Sequence, residues 1–250
     1  MNEGTNGSCF LENQPNFRSL GGLKTLSGKT FRKNMVYRSG ALNKLSTSDV
    51  QKLEKAGLAL IIDFRSDREV EAYPSVNIPT VKETLRIIIP DQAREEAMNC
   101  FDNNDAHGLE QILVIDYRRM IRNESDKFAV FFRILESTAD LPLVFHCAAG
   151  KDRTGIAAVL FLNSLGVDAE SIKEDYFISN LRLRALADRL VKKMSEDGKQ
   201  GEIIRPMMEV RHEYLKAAMD EIEVSFGGME TYLNDVLQVD SELLKEKYLE

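Results

Sequence analysis

The 250-residue chain has no tryptophan, only three cysteines and only three histidines. Cys9, Cys100 and Cys147 are too few and too far apart for a disulfide framework or a cysteine-rich metal site, and they suit a reducing compartment. His107, His146 and His212 show no metal-ligand spacing. No apolar run approaches the roughly 18 residues of a membrane span. The longest, 156–162, reads as part of a buried helix. The N-terminus lacks the basic and apolar regions of a secretory signal, so a cytoplasmic protein without integral membrane association is expected. Basic residues are outnumbered, 33 Lys and Arg against 40 Asp and Glu. The net charge of −7 excludes nucleic acid as the main partner, because a duplex needs a broad basic surface. What is present is a 43% hydrophobic composition over a length that buries a core without staples. No repeat or linker interrupts it, so one domain over 1–250 is expected.

Punctuation of the first half is that of α/β units. A short apolar run at 35–38 stops at Ser39-Gly40. Residues 46–57 read as a helix, with Ser46 or Thr47 as N-cap and Gly57 at its C-terminal end. Residues 58–64 are a continuous apolar run, the mark of a strand buried on both faces. A short helix from Ser66 ends before Pro74, a strand is expected at 84–89, and 127–135 has a helical pattern. A buried strand at 142–146 leads into an apolar helix over 154–165, closed by Gly166. From Val167 helical patterns dominate, with breaks near Asp197-Gly198, Pro206 and Gly227-Gly228. The stretch 91–125 is polar and poorly periodic and reads as an insertion, a candidate helical lid. The expected fold class is α/β, with a small, mostly parallel central sheet flanked by helices and a helical C-terminal half.

Between the buried strand and the apolar helix stands His146-Cys147-Ala148-Ala149-Gly150-Lys151-Asp152-Arg153-Thr154-Gly155. Successive N–H groups of a tight loop form an anion nest, and the helix adds free N–H groups and the positive end of its dipole. Gly150 and Gly155 permit close backbone approach. Arg153, six positions after Cys147, can fold back and hold two phosphate oxygens in a bidentate fork. Such a field favours the thiolate of Cys147, an activated nucleophile facing a bound phosphoryl group. Singly, each residue has an ordinary reading: a cysteine at a strand end is most often a small buried hydrophobe, and a loop Arg or Lys is solvated. Together, at this spacing, they have no structural explanation.

The Cys-x5-Arg string from Cys147 to Arg153 resembles the signature of the protein tyrosine phosphatase superfamily. The longer string 146–155 is similar to its atypical bacterial and fungal branch. The likeness extends to Asn16-Phe17-Arg18-Ser19-Leu20-Gly21-Gly22, Tyr37-Arg38-Ser39-Gly40-Ala41-Leu42 and Ile62-Asp63-Phe64-Arg65-Ser66. It continues in Asp175-Tyr176 through Asn180, in Tyr214-Leu215, and in Gly227-Gly228 through Tyr232-Leu233, and it is weakest over 91–125.

The resemblance implies the fold of that superfamily and a two-step phosphomonoester hydrolysis. Cys147 attacks phosphorus and forms a phosphocysteine. The loop residues Ala148, Ala149, Gly150, Lys151, Asp152 and Arg153 hold the phosphate oxygens. Thr154 donates a hydrogen bond to the leaving thiolate, and water completes the cycle without metal or cofactor. Phosphotyrosine in a protein is the expected substrate, with phosphoserine, phosphothreonine and phosphoinositides open. Lys151 suits inositol headgroups, or is merely a surface charge. Arg38, Arg65 and Arg68 add positive charge near the mouth, unless local carboxylates pair with them. His146 sits on a strand beside the nucleophile, so its ring faces the other way and is expected to orient the loop. The usual acid loop of the superfamily carries a tryptophan, which this chain lacks. Two acids therefore remain. Asp63 ends the buried strand 58–64 and emerges at the edge where Cys147 emerges if the strands are parallel; its duller role is pairing with Arg65. Asp152, inside the loop, either protonates the leaving oxygen or positions Arg153. Asp63 is the preferred acid.

Rival readings are weaker. Gly28-Lys29-Thr30 imitates the end of a nucleotide-binding loop, but Leu23 stands where a glycine is needed. A sulfurtransferase does not fit the His-Cys-x5-Arg-Thr-Gly form. A non-catalytic phosphate reader would not need Cys147, Arg153 and both aspartates. Adjacent strand residues point apart, which disfavours a Cys–His hydrolase. The basic run Arg182, Arg184, Arg189, Lys192 and Lys193 reads as a solvated helix face, because acidic and apolar residues interleave with it. Cys9 and Cys100 are candidates for a protective disulfide with Cys147.

Overall fold

The computed structural model describes residues 11–91, 93–196 and 201–250. Cys9 and the break expected at Asp197-Gly198 lie outside the described residues. Five short strands, β1 (Arg18–Ser19), β2 (Val36–Ser39), β3 (Leu60–Asp63), β4 (Glu83–Arg86) and β5 (Leu143–His146), form one sheet in the order β1-β2-β5-β3-β4. Only the β1 edge is antiparallel; β2, β5, β3 and β4 run parallel. The register pairs Ser39 with His146 and His146 with Asp63, so three strands end side by side at one edge. This is the crevice beyond the carboxyl ends where ligands of parallel sheets sit.

Strand period divides the core in two. Val36, Leu60, Ile62, Leu143 and Phe145 face the larger cluster, while Tyr37, Ile61 and Val144 face a smaller one with Leu42, Leu53 and Leu58. Helix α1 (Thr47–Lys55) closes the smaller side; its capping box joins Ser46 and Asp49, as the N-cap reading anticipated. Helix α2 (Asp67–Ala72) follows β3 with a second capping box, between Ser66 and Glu69. The strand expected at 84–89 is shorter, because β4 is an exposed edge and only Ile87 and Ile89 beyond it turn inward.

The stretch 91–125 contains α3 (Arg94–Asp102) and α4 (Ala106–Asn123). Its poor periodicity is only apparent. Leu109, Leu113, Tyr117, Met120 and Ile121 form one buried stripe of α4, masked in the sequence by the charges between them. The larger cluster is completed by α5 (Ser125–Ser137), α6 (Arg153–Ser164), α7 (Ala169–Glu196), α8 (Arg205–Met208) and α9 (His212–Phe226). Pro206 opens α8 instead of breaking a helix, in the first turn where no N–H is needed. Gly227 ends α9 in the left-handed conformation at φ 79°. After it come α10 (Met229–Thr231), a π turn over Tyr232–Val236 and α11 (Ser241–Tyr248).

Phe131 of α5 sits at the centre of the larger cluster, with its ring against Phe64, Phe132, Phe145 and Phe161 and no exposed surface. Phe131→Ala is expected to cost about 3–5 kcal/mol, the range for a buried aromatic that leaves a cavity. Urea denaturation against the parent measures it, and a loss below about 1 kcal/mol would mean that the core closes around the gap.

Candidate active site

Cys147 follows β5 directly and is 2% exposed. Its Sγ accepts the N–H of Gly150 at 3.3 Å, so the loop curls around the sulfur and α6 starts at Arg153. Gly150 is required here: its φ is 73°, and a Cβ would lie 2.3 Å from the Ser39 carbonyl oxygen. At Gly155 a Cβ would crowd the Tyr176 ring at 3.2 Å. Thr154 is fully buried just after Arg153, and its Oγ1 has no partner among the described residues.

A buried network holds the outer side of the loop. Asn16 Nδ2 donates to the carbonyls of Ala149 and Gly150 at 3.0 and 2.9 Å. Arg38 donates to the Gly150 carbonyl at 2.9 Å and to Asp175 Oδ2 at 2.5 Å. Arg18 donates to Asp175 Oδ1 at 2.7 Å and to Asn16 Oδ1 at 2.7 Å. Burial alone would raise the Asp175 carboxyl, but the two guanidiniums hold it at about 2. Burial and the neighbouring Arg38 lower Arg18 to about 10. Arg38 is thus a scaffold cation sealed inside, not a charge at the mouth.

Arg153 is held by a second carboxylate. Its two terminal nitrogens donate to Glu69 at 2.8 and 2.6 Å, and Nη1 also donates to the Ile89 carbonyl at 3.2 Å. Glu69 is the acid of the α2 capping box, and its Oε2 accepts the Ser66 N–H at 2.8 Å as well. Burial opposes its charge, yet Arg153 outweighs burial and keeps the carboxyl at about 2.

The two acid candidates are placed differently. Asp63 is 2% exposed, and both of its oxygens accept from Arg65, at 2.9 Å from Nε and 2.7 Å from Nη2. These bonds overcome burial and leave its carboxyl below the usual range. Arg65 is therefore ion-paired, as the duller reading had it. His146 Nε2 lies 3.8 Å from Asp63 Oδ2, and its Nδ1 is 3.0 Å from the Cys147 carbonyl. Burial lowers this imidazole. Asp152 lies within the loop with 28% of its side chain exposed. It accepts from the Tyr117 hydroxyl at 2.7 Å, which in turn accepts from Tyr176 at 2.9 Å. Lys151 donates to both Asp152 oxygens at 2.8 Å and is 4% exposed, so it is not a free cation awaiting an inositol headgroup.

The surroundings of the loop differ in sign. On the α4 side, burial and then the charges of Asp91 and Asp152 raise the Asp116 carboxyl to about 7, against the counter-pull of Arg153 and Arg119. On the α7 side a cleft of about 600 Å³ reaches Ala148 and Ala149 of the loop and carries Lys44, Arg182 and Arg189. Cys100, on α3, is a free thiol like Cys147; burial and then Asp105 and Glu96 push it up.

Sequence reasoning singled out the motifs containing Asn16, Arg18, Arg38 and Asp175 but gave most of them no task. It missed Glu69 and Tyr117. For Glu69 a local signal exists, the Ser66-x-x-Glu69 capping spacing; for Tyr117 only the buried stripe of α4 points to it.

The family model of the tyrosine phosphatase family matches residues 10–250. A protein of Cupriavidus necator that carries a tyrosine-protein phosphatase name is 31% identical over 242 residues, covering 94% of this chain and 85% of that protein. The triple specificity protein phosphatase PtpB of Mycobacterium tuberculosis is 25% identical, covering 88% of this chain and 90% of its own. Among solved structures, TpbA of P. aeruginosa in complex with pTyr matches with a TM-score of 0.38 and 17% identity, covering 59% of this chain and 70% of its own.

Two outcomes follow from the charges. Asp175→Asn leaves two buried guanidiniums without a carboxylate and is expected to cost about 3–5 kcal/mol, as for other broken buried pairs; chemical denaturation measures it. Asp116 is protonated in the fold up to about pH 7, whereas its ordinary value is 3.8. Ionised above 3.8 only when unfolded, it penalises folding increasingly as pH rises to about 7. Asp116→Asn is expected to melt like the parent near pH 3.8, to gain on it as pH rises to about 7, and to keep a constant lead above that. A lead independent of pH would contradict this.

Proposed function

The chain belongs to the tyrosine phosphatase family, and we propose that it hydrolyses phosphotyrosine through a phosphocysteine formed on Cys147, with Asp152 as the general acid. The observation that carries the reading is the seat of the nucleophile. The Cys147 sulfur lies inside a loop whose Gly150 N–H already points at it, at 3.3 Å and at the start of α6. Inward amides and a helix N-terminus stabilise both a thiolate and the equatorial oxygens of a phosphoryl group.

Cys147 attacks phosphorus as the ester oxygen departs, and that oxygen takes a proton from Asp152. Water then attacks the phosphocysteine and gives its proton back to Asp152, while Thr154 Oγ1, otherwise without a partner, donates to the departing thiolate. Arg153, held by Glu69, presents its guanidinium to the oxygens without a search through rotamers. Two features favour Asp152 over Asp63. Both acids are ion-paired, but Asp152 shares the loop with the nucleophile and its pair with Lys151 is partly open, whereas Asp63 is sealed against Arg65 at the end of β3. A phosphoinositide substrate loses the support that Lys151 lent it, because Asp152 occupies that ammonium.

The test is metal-free hydrolysis of p-nitrophenyl phosphate and of a phosphotyrosine peptide between pH 4 and 8. Cys147→Ser is expected to abolish turnover. Asp152→Asn is expected to lose about 10²–10³-fold in kcat and the basic limb of the pH profile, as for a removed general acid. Asp63→Asn is expected to keep the limb while losing stability. Loss of the limb in Asp63→Asn instead would return the acid role to that residue. Phosphopeptide binding without turnover by the wild type would make the loop a reader.

A further inference from the structure

Arg182 and Arg189 belong to the basic run that the sequence reading gave to a solvated helix face. The fold gives them a different setting. Together with Lys44 they line the cleft that reaches Ala148 and Ala149. Ala148 is the exposed residue of the loop, where a group bound over Cys147 would leave the cradle. Among the described residues none of the three cations forms an ion pair with a carboxylate. Arg182 donates to the Pro15 carbonyl at 3.2 Å and lies in the field of Asp175, which Arg18 and Arg38 already share. The other carboxylates are engaged too: Glu69 by Arg153, and Glu12 by Lys52. In a chain of net charge −7 the three gather on one cleft beside the loop.

We propose that this cleft is a substrate subsite for acidic side chains that flank the phosphorylated residue of a peptide. The inference rests on the phosphotyrosine reading above and names the peptide class it takes. Spacing favours a peptide over a ring. Arg182 and Arg189 are seven residues apart on α7, about 10 Å at 1.5 Å per residue and on one face. That is about three residues of an extended chain at 3.3 Å each, so side chains along a peptide reach both. The walls alternate the cations with apolar surface from Pro15, Tyr73 and Leu186, which suits a side-chain-bearing backbone.

The experiment compares two phosphotyrosine peptides, identical except that one has glutamates and the other alanines on both sides of the phosphotyrosine. The enzyme is wild type or Lys44→Glu/Arg189→Glu, two exposed positions whose change leaves Arg182 in place. The readout is the ratio of the two kcat/KM values, with p-nitrophenyl phosphate as reference for the catalytic centre. Wild type is expected to favour the acidic peptide about 10-fold at low salt, shrinking several-fold at 0.5 M, and the double variant to reverse or erase the ratio, since these are screened charge contacts. A ratio near one in the wild type, or one unchanged in the variant, overturns the proposal. So does a variant that loses turnover of a short-chain soluble phosphoinositide while its peptide ratio stays as in the wild type. Binding of both peptides to Cys147→Ser, by fluorescence anisotropy, decides the subsite independently of turnover. Acidic preference there without wild-type hydrolysis would sink the catalytic reading and keep the subsite; equal affinities would sink the subsite alone.

Discussion

Asp175 is one carboxylate facing two guanidiniums where almost no water reaches. Arg18 takes one of its oxygens and Arg38 the other, and the three side chains are at most 8% exposed. Two buried like charges close to one another repel strongly at low dielectric. Neither arginine is tolerable there without the carboxylate, and the carboxylate alone would be protonated by burial. The triad exists only as a unit, and the loop hangs from it: Arg38 on the Gly150 carbonyl, and Arg18 through Asn16 on Ala149 and Gly150. With the Ala149 carbonyl drawn outward, the Gly150 N–H of the same peptide turns inward to the Cys147 sulfur. The inner face of the loop is thus the reverse side of a buried ion triad.

The inner side follows the same logic with a second carboxylate. Glu69 closes the cap of α2 and at the same time clamps Arg153, so a short surface helix and the arginine that opens α6 share one anchor. Asp63 and Arg65 form a third pair behind the edge, with His146 between that pair and the Cys147 carbonyl. The Asp175 triad and the Glu69–Arg153 pair tie elements from the first third of the chain to the segment after β5. These two are long-range contacts, and neither is visible as a local pattern.

That difference decides how much could be read from residues alone. The loop was legible because its chemistry is compressed into ten consecutive residues between a strand and a helix. The α/β frame was legible because 58–64 and 142–146 are short continuous apolar runs, which a parallel sheet requires. Asp63 was preferred as the acid for a physical reason: parallel strands do bring it to the edge beside His146. The same reading offered the alternative found in the fold, with Arg65, two residues on, taking both oxygens. Tyr117 was lost inside a stretch that looks polar because α4 buries only one narrow stripe. Its reach to Asp152 depends on how α4 packs, not on anything near position 117.

Charge is the remaining puzzle, since a protein of net charge −7 has to attract a dianion. Net charge acts over distances that salt screens within about 8–10 Å. Inside the cradle the field is set by what is fixed there. Arg65 cancels Asp63, Lys151 cancels Asp152 and Arg153 cancels Glu69, while Arg18 and Arg38 leave the Asp175 triad with one positive charge in excess. Added to that excess are the Gly150 N–H on the Cys147 sulfur and the start of α6. Dipoles held in place by a rigid scaffold do not reorganise as charge moves in a transition state, whereas mobile surface lysines would. Pairing most of the strong charges and leaving the dipoles unpaired is therefore consistent with the acidic composition. It also explains why the buried ion pairs are gathered around this one loop.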